Sequence, residues 1–371
     1  MACRYQVYLV AIASMFVNLA YLLRRPTGTT HYALNLLPYL TALQPQYLAT
    51  PASGLEQYHA VPANMTAEYG LRGHLRRLLW TQLRLPTLCK RLGARSAASD
   101  LLFSPITEAP LFTNRRFVVM VHDLIPLRFA VSRAQTWLHR HYVPRVLTAA
   151  EHVLCNSEAT AADIVQFYGL SAKKITPILL AHDGAHFRPM ALERQNYFLL
   201  LGRQTPYKNG AIALQAFAQL ANRDEYELWI AGPDDPRYTP ALRSQAAALG
   251  ITPQVKFLNY VAYDQLPKLL NQAQALIFPS LWEGFGLPVL EAMACGTPVI
   301  ASNRASIPEV TGQAALLVDP LDVAAIANAM QRLTRDPQLH RQLSHASRDQ
   351  AAQFSWARTG QATVEVLQAH L

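Results

Sequence analysis

The chain has 371 residues, of which 51% are hydrophobic and 15% charged, so it is long enough for two globular domains and lacks the composition of a disordered protein. Its formal charge of +9 favours anionic partners such as nucleotide sugars, nucleic acid or an acidic membrane surface. The four cysteines are scattered without a CxxC pair, which argues against a disulfide framework or a zinc site and indicates reduced thiols in the cytoplasm.

The first predicted element lies in an apolar stretch, residues 5–23, that is flanked by arginines. Such flanks are compatible with a signal anchor, but Gln6 and Asn18 interrupt the stretch and its length is marginal for a bilayer. A buried strand over Tyr5 to Ile12 that runs into a loop explains the pattern better. We therefore expect a soluble protein without a membrane anchor.

Short apolar runs alternate with helical segments along the whole chain. In the first half we predict strands at Tyr5–Ile12, Leu101–Ser104, Phe117–His122, His152–Asn156 and Ile175–Leu180, and helices at Thr30–Leu43, Leu71–Leu85, Arg133–Ala149 and Glu158–Phe167. In the second half we predict strands at Tyr197–Leu201, Glu227–Ala231, Val255–Leu258, Ala275–Phe278, Pro298–Ala301 and Ala314–Val318. Apolar strands separated by helices indicate parallel sheets covered on both faces. Two such doubly wound domains, with ligand sites at the carboxyl ends of their strands, would share one cleft.

The predicted helix between residues 71 and 85 carries two kinds of side chain in separate rows. Its leucines fall on one face, and its arginines lie largely elsewhere: Leu71, Leu75, Leu78, Leu79 and Leu83 against Arg72, Arg76, Arg77 and Arg84. One interpretation is a helix that lies on an anionic membrane surface. The other is an ordinary domain helix that packs its leucines inward and leaves its arginines in solvent.

Three polar residues occur where predicted strands end. Arg203 and Lys208 follow the strand that ends at Leu201, and both can point at a diphosphate from the turn that opens the next helix. Cations are slightly disfavoured at a helix start, so this placement indicates a bound anion. His122 ends a strand of the first half and precedes Asp123; such a histidine is either structural or part of a site.

Residues 275–301 read as strand, glycine loop, helix, turn and strand. The glycines Gly284 and Gly286 let the backbone approach a ligand closely, and the amides of Phe285, Gly286 and Leu287 can converge on one anion, most naturally a phosphate. Glu283 and Glu291 flank this loop, and a carboxylate beside a phosphate must have another task, such as accepting hydrogen bonds from sugar hydroxyls. The alternative is a plain crossover with two solvated glutamates.

The segment FPSLWEGFGLPVLEAMACGTPVIAS closely resembles the signature of family 4 of the retaining glycosyltransferases, which have the GT-B fold. The resemblance implies that Glu283 contacts the donor sugar, that Glu291 holds the ribose and that the loop amides hold the diphosphate. The runs LGRQTPYKN and VMVHDLIP are similar to the family's phosphate-binding pair and His-Asp motif. They imply that Arg203 and Lys208 bind phosphate and that His122 contacts the sugar near its reacting face, with Asp123 orienting the loop.

Two further segments are similar to segments of the family, and each differs from the family pattern in its glycines. The run RRPTGTTHY resembles the loop beside the diphosphate and the acceptor, but only Gly28 is present where the family often has two glycines. The run VKFLNYV resembles the segment that frames the nucleotide base, which places Tyr260 and Val261 near the base. Asn259 stands there in place of the usual glycine, and asparagine also adopts the left-handed conformation.

The resemblance implies two facing Rossmann-like domains, residues 1–185 on the acceptor side and 186–352 on the nucleotide-sugar side. The linker falls within residues 182–194, and a last helix in 353–371 crosses back to the first domain. The expected activity is hexosyl transfer with retention, without a metal or cofactor, from a nucleotide-diphosphate sugar to a glycan or a lipid-linked acceptor. The style of the His-Asp segment is similar to mannosyltransferases of polysaccharide assembly, which favours GDP-mannose.

Other interpretations of the same residues remain open at this stage. A sugar-nucleotide epimerase on the same fold and a non-catalytic nucleotide-sugar-binding module both fit the donor motifs. Nucleic-acid binding is not expected, because the basic charge is not accompanied by an aromatic-basic motif. We expect a cytoplasmic protein, with peripheral contact to the anionic inner surface of the membrane as an additional hypothesis.

Overall fold

Two parallel β-sheets organise the chain, one in each half. The structure, a computed structural model, describes residues 15–23, 27–93, 100–130 and 132–371. Helices cover both sheets, so the predicted α/β architecture of two doubly wound domains is confirmed. Near-continuous apolar strands require this arrangement, because a strand with two apolar faces must be covered on both.

The first sheet has seven strands in the order β3-β2-β1-β4-β5-β6-β7. The strands are β1 (Met15–Asn18), β2 (Gln46–Ala49), β3 (His59–Ala60), β4 (Leu101–Ser104), β5 (Arg116–Val121), β6 (His152–Cys155) and β7 (Ile175–Pro177). The helices of this half are α1 (Gly28–Leu40), α2 (Gly70–Leu83), α3 (Leu85–Leu92), α4 (Ile125–Arg128), α5 (Arg133–His141), α6 (Val143–Ala149) and α7 (Glu158–Tyr168). All neighbouring strands are parallel, which brings the carboxyl ends of β5 and β6 to one edge.

The second sheet has six parallel strands in the order β10-β9-β8-β11-β12-β13. They are β8 (Tyr197–Leu201), β9 (Glu227–Ala231), β10 (Val255–Asn259), β11 (Ala275–Phe278), β12 (Val299–Ser302) and β13 (Leu316–Val318). The helices are α8 (Gly210–Ala218), α9 (Thr239–Ala248), α10 (Leu266–Gln272), α11 (Leu287–Ala294), α12 (Ile307–Thr311), α13 (Val323–Arg335) and α14 (Pro337–Ala351), followed by α15 (Trp356–Ala369). The order reverses between β8 and β11, which is where a doubly wound sheet opens a ligand crevice.

The last helix, α15, packs against the first half of the chain. Thr359 donates from Oγ1 to the carbonyl of Leu179 over 2.8 Å, and Arg116 donates from Nη2 to the carbonyl of His370 over 2.8 Å. Gly360 lies against the Tyr39 ring, where a Cβ atom would come within 2.2 Å of the ring. One apolar cluster consequently runs from the first sheet, through buried Phe187, into the second.

Several predicted boundaries differ from the observed ones for local reasons. The predicted strand Tyr5–Ile12 lies outside the described residues, and the first described strand is β1. The predicted helix Arg133–Ala149 is two helices, because Pro144 begins a new turn and Tyr142 separates α5 from α6. Strands β2 and β3 were not predicted, since they are only four and two residues long.

Four leucines of helix α2 face solvent. The interpretation in which the leucines of this helix pack inward is therefore wrong. Its buried residues are Gly73, Arg77 and Thr81. Leu71, Leu75, Leu79 and Leu83 are instead 53–73% exposed. Within the described residues, no helix is both long enough and apolar enough to cross a membrane.

Candidate functional site

The glycine loop between β11 and α11 lies at the interface of the two halves. Gly286 has φ of 105° and caps the amino end of α11, where a Cβ atom would lie 2.7 Å from Ile307. A Cβ atom on Gly284 would lie 2.0 Å from the carbonyl oxygen of His122 in the other half. Both positions therefore require glycine, the first for its backbone and the second because the domains touch there.

The amides of this loop point to an anion site. Among the described residues, the backbone N–H groups of Phe285, Gly286 and Leu287 donate no hydrogen bond to the protein. The loop is held instead through its carbonyls, because the Ser306 hydroxyl lies 3.0 Å from the carbonyl of Glu283 and 2.8 Å from that of Phe285. Unpaired amides at a helix amino end are the groups that bind phosphate.

Lys208 lies beside this loop and pairs with the first glutamate of the signature. Its Nζ atom is 2.6 Å from Glu283 Oε1, and Glu283 is buried. The turn that carries Lys208 is fixed to the loop by the amide of Leu281, which donates to the carbonyl of Tyr207 over 2.7 Å. Arg203 is exposed at the rim of the same turn and does not join the pair.

His122 and Asp123 reach the same place from the first half. The His122 Nε2 atom lies 2.9 Å from the carbonyl oxygen of Pro105, an acceptor, so Nε2 carries the proton and Nδ1 is free to accept. Burial lowers the pKa of His122 to about 4, which keeps the ring neutral near pH 7. Asp123 accepts from the amide of Ile125 over 3.0 Å, consistent with its expected role in orienting the loop, and burial raises its pKa.

Glu291 projects from the second turn of α11, and no cation among the described residues pairs with it. Burial raises its pKa to about 7, well above the ordinary value of a glutamate. No ion pair or side-chain hydrogen bond to Glu291 occurs within the described parts of the chain. A carboxylate that is desolvated yet unpaired is well suited to accept from ligand hydroxyls.

The remaining predicted residues are Gly28 at the start of α1, and Tyr260 and Val261 after β10. Gly28 begins α1, and a Cβ atom there would lie 3.6 Å from Leu287. Tyr260 is 59% exposed, and Val261 is partly buried. Asn259 has φ of 55°, so the left-handed conformation expected of the missing glycine is present.

The sequence analysis missed the contacts that join α7 to the glycine loop. The carbonyl of Gly284 accepts from the hydroxyl of Ser157 over 2.6 Å and from that of Thr160 over 3.2 Å. From α12, the carboxylate of Glu309 accepts from the amides of Glu158 and Ala159, each over 2.8 Å. Ser157 also caps the amino end of α7, where its side chain accepts from the amide of Thr160.

A second missed contact lies immediately before Glu283. Trp282 donates from Nε1 to Asp163 over 2.9 Å, and Asp163 also pairs with Arg128. The guanidinium of Arg128 lies 3.5 Å over the Trp282 ring. At the opposite end of the cleft, His31 stacks on Tyr263 with ring centroids 4.5 Å apart. Residues of this kind are not visible in a sequence, because their partners lie far along the chain.

The described residues contain no cluster of three or more His, Cys, Asp or Glu that could hold a metal ion. The groups that meet at the loop are a lysine, unpaired amides, a neutral histidine and the carboxylates of Glu283, Glu291 and Asp123. This set binds a phosphate through the amides and the lysine, and binds hydroxyls through the carboxylates and the imidazole.

Two family models match the two halves of the chain. The model described as "Glycosyltransferase Family 4" matches residues 26–181, and the one described as "Glycosyl transferases group 1" matches residues 185–350. Together they extend over most of the chain and include every residue discussed at the glycine loop. The family resemblance inferred from the signature segment is therefore confirmed.

Among curated proteins, the chain is similar to bacterial mannosyltransferases. It is 29% identical over 338 residues to the O-antigen chain mannosyltransferase RfbU of Salmonella typhimurium, covering 87% of this chain and 92% of that protein. It is 32% identical over 227 residues to the O-antigen chain mannosyltransferase B of Escherichia coli, covering 57% of this chain and 58% of that protein. The chain thus spans only a little more than half the length of the second relative.

Among solved structures, the fold is similar to those of other glycosyltransferases. Anabaena HepE in complex with UDP and glucose has a TM-score of 0.75 at 20% identity, covering 96% of this chain and all of that one. WaaG, a glycosyltransferase involved in lipopolysaccharide biosynthesis, has a TM-score of 0.70 at 15% identity, covering 94% and 98%. At such identities the similarity is one of fold.

Proposed function

The chain belongs to glycosyltransferase family 4, and we propose that it is a retaining enzyme that transfers mannose from GDP-mannose to a glycan or lipid-linked acceptor. Support for mannose comes from the relatives aligned above, which are mannosyltransferases of O-antigen chains. Support for a nucleotide donor comes from HepE, which shares the fold and binds UDP with glucose. The loop of unpaired amides beside Lys208 is the single observation that carries the proposal.

The donor fits the cleft in one direction. The diphosphate lies on the amides of residues 285–287, with Lys208 and Arg203 on its oxygens. Glu291 accepts from the ribose hydroxyls, and Tyr260 and Val261 lie near the base. The sugar then extends towards Glu283 and His122, where the two halves of the chain meet, and Gly28 lies on the acceptor side.

The residues at the sugar are poor general bases, which favours retention. His122 is neutral with a pKa of about 4, and Glu283 is engaged by Lys208. A base with so low a pKa accepts little proton from an incoming hydroxyl near pH 7. The departing phosphate oxygen accepts that proton instead, as the bond to the sugar breaks and the new bond forms on the same face. Lys208 and the loop amides stabilise the charge that grows on the leaving diphosphate.

The proposed domains are supported by the separate sheet of each half and by the contacts of α15. Residues 1–185 form the acceptor side and residues 186–352 form the donor side. Residues 353–371, including α15, return to the first domain. The acceptor is proposed to be presented at an anionic membrane surface, which the protein contacts peripherally from the cytoplasmic side.

The test is a comparison of donors followed by analysis of the product. GDP-mannose should raise the melting temperature of the protein more than UDP-glucose, UDP-galactose or GDP alone, because only it carries both the base and the sugar of the proposed donor. With an oligosaccharide acceptor, NMR of the product should show the α-configuration of the donor. An isomerised nucleotide sugar formed without acceptor would identify an epimerase, and inversion at the anomeric carbon would contradict the mechanism.

A further inference from the structure

Helix α2 exposes four of its leucines and buries one of its arginines, Arg77. Leu71, Leu75, Leu79 and Leu83 recur every four residues along one face, with exposed fractions of 73%, 56%, 53% and 68%. At 1.5 Å per residue, this row is about 18 Å long. Single exposed leucines are common in soluble proteins, but a continuous row on one helix is typical of an interaction surface.

The inner face of α2 fixes this orientation. Arg77 is 6% exposed, and its Nε and Nη2 atoms each donate to Glu108 over 2.7 Å. Its Nη1 atom donates to the carbonyl of Met65 over 3.1 Å. Gly73 lies on the same face, where a Cβ atom would come within 2.1 Å of the Thr66 carbonyl. Rotating the leucines inward would therefore break a buried ion pair and push larger side chains against backbone.

A further apolar side chain extends the row beyond the helix. Phe112 is 86% exposed in the loop after β4. The neighbouring residue, Leu111, donates its amide to Gln82 on α2 over 2.8 Å, which places Phe112 beside the carboxyl-terminal part of the helix. We refer to Leu71, Leu75, Leu79, Leu83 and Phe112 as the leucine surface.

The charged side chains of the segment that carries most of the leucine surface are all basic. Residues 70–92, which include α2 and α3, contain six arginines or lysines and no aspartate or glutamate. Arg77 is neutralised by Glu108, whereas Arg72 and Arg76 on α2, and Arg84 immediately after it, are exposed. Long basic side chains beside apolar ones are the pattern of a helix that lies in a membrane interface, with cations at the phosphates and leucines below them.

We propose that the leucine surface docks into the headgroup region of an anionic bilayer, which deepens the membrane contact of the proposed function by naming the surface responsible. A second copy of the chain is a poorer occupant, because a symmetric dimer would place the arginines of one copy against those of the other. An anionic bilayer can contact the exposed arginines and the exposed leucines at once. It offers phosphates to Arg72, Arg76 and Arg84 and hydrocarbon to the leucines.

The test is flotation of the full chain with vesicles of phosphatidylcholine, with and without phosphatidylglycerol. The protein should float with the anionic vesicles at about 50 mM salt and much less at about 500 mM, because screening weakens the attraction. The double variant Leu75→Gln and Leu79→Gln should float about tenfold less. The matched control is Leu321→Gln, since Leu321 is 60% exposed on the other half of the chain and should leave flotation unchanged.

Donor turnover with a water-soluble acceptor separates this proposal from the proposed function. The double variant should keep that turnover and its melting temperature, because its substituted side chains are exposed. Failure of the wild-type chain to bind anionic vesicles at low salt would overturn the docking proposal while leaving the transferase intact. Equal flotation of the double variant, or a wild-type dimer that the variant converts to a monomer, would overturn it as well.

Discussion

Lys208 and Glu283 form an ion pair at the position proposed for the phosphate and sugar of the donor. In the ligand-free cleft, the Lys208 ammonium and the Glu283 carboxylate neutralise each other. Substituting Lys208 leaves the buried carboxylate of Glu283 without its cation. Substituting the exposed Arg203 leaves no buried charge unpaired. The two basic residues should therefore behave alike towards the ligand and differently towards folding.

We predict that Lys208→Ala and Arg203→Ala each weaken binding of a nucleoside diphosphate by roughly 1.5–3 kcal/mol, because each loses a charged hydrogen bond to phosphate. Only Lys208→Ala should also destabilise the ligand-free protein, by about 1–3 kcal/mol. Calorimetry measures the first effect and urea unfolding the second. Unchanged affinity in both variants would remove these residues from the donor site.

Glu291 gives a pH dependence with a defined sign. Its pKa of about 7 in the folded protein lies above the ordinary value of 4.5, so folding disfavours the charged form. This cost to stability grows as the pH rises from about 4.5 and is complete above about pH 7. We predict that Glu291→Gln makes the ligand-free protein more stable by about 1–3 kcal/mol at about pH 8, with little difference near pH 4.

The same substitution should weaken nucleotide binding, since an amide accepts less well from the ribose hydroxyls than a carboxylate does. Glu283→Gln should instead spare the free nucleoside diphosphate and weaken the sugar-bearing donor. Urea unfolding at the two pH values and calorimetry with both ligands measure these effects, with exposed Glu365→Gln as the control. Equal loss of the free diphosphate in both variants would contradict the assignment of ribose to Glu291.

At the scale of elements, the amino end of α7 joins the two halves of the molecule. Two of its amides bind Glu309, and its capping Ser157 also binds Gly284. We predict that Glu309→Ala lowers kcat/KM by at least about tenfold, because it removes two hydrogen bonds to a charged group, each worth roughly 1.5–3 kcal/mol. The melting temperature should change little, since water can solvate those amides in an open cleft.

The conservative variant separates positioning from simple damage to the fold. Glu309→Gln keeps one acceptor oxygen and should recover part of the lost kcat/KM, while folding remains as in the alanine variant. Steady-state kinetics with the full chain provides the measurement. A wild-type kcat/KM for Glu309→Ala would show that the contact between Glu309 and α7 does not position the site.

The elements that the sequence predicted well are those with their own internal signal. Strands β8, β9 and β11 were predicted to the residue, because they are near-continuous apolar runs with turn residues beside them. The left-handed backbone at Asn259 was expected because the family usually has glycine there and asparagine also adopts this conformation. The glycine loop was located by its spacing and its motif.

The features that escaped prediction depend on partners far along the chain. A row of leucines shows that α2 is amphipathic, but only the pair between Arg77 and Glu108, 31 residues apart, shows which face is inside. Likewise, Glu309 lies about 150 residues from the amides it binds. Composition and periodicity carry no information on such pairs.

At the scale of the whole molecule, the two sheets share one apolar cluster, and α15 completes it. Leu367 and Thr363 of α15 are fully buried, and Trp356 packs near Tyr32 of α1 with ring centroids 6.3 Å apart. Removing residues 356–371 would expose the surface of α1 that this helix covers. The last helix of the chain is therefore part of the core of its first half.

We predict that deleting residues 356–371 lowers the melting temperature by at least about 10 °C, since each buried leucine or aromatic side chain contributes roughly 1.5–3 kcal/mol. Trp356→Phe, which retains most of the ring area, should lower it far less. Calorimetry measures both. A truncated chain that melts like the intact one would show that α15 is not needed for the first half to fold.

The bonds between Glu309 and α7 also have a consequence for measuring motion. The amides of Glu158 and Ala159 are bonded to Glu309 from the other half of the chain. Opening of the cleft, meaning a separation of the two halves, would expose these amides to water. Their hydrogen-exchange rates therefore report the fraction of time that the molecule spends open. Exchange of these two amide protons, measured by NMR or mass spectrometry, therefore reports opening of the cleft without an added label.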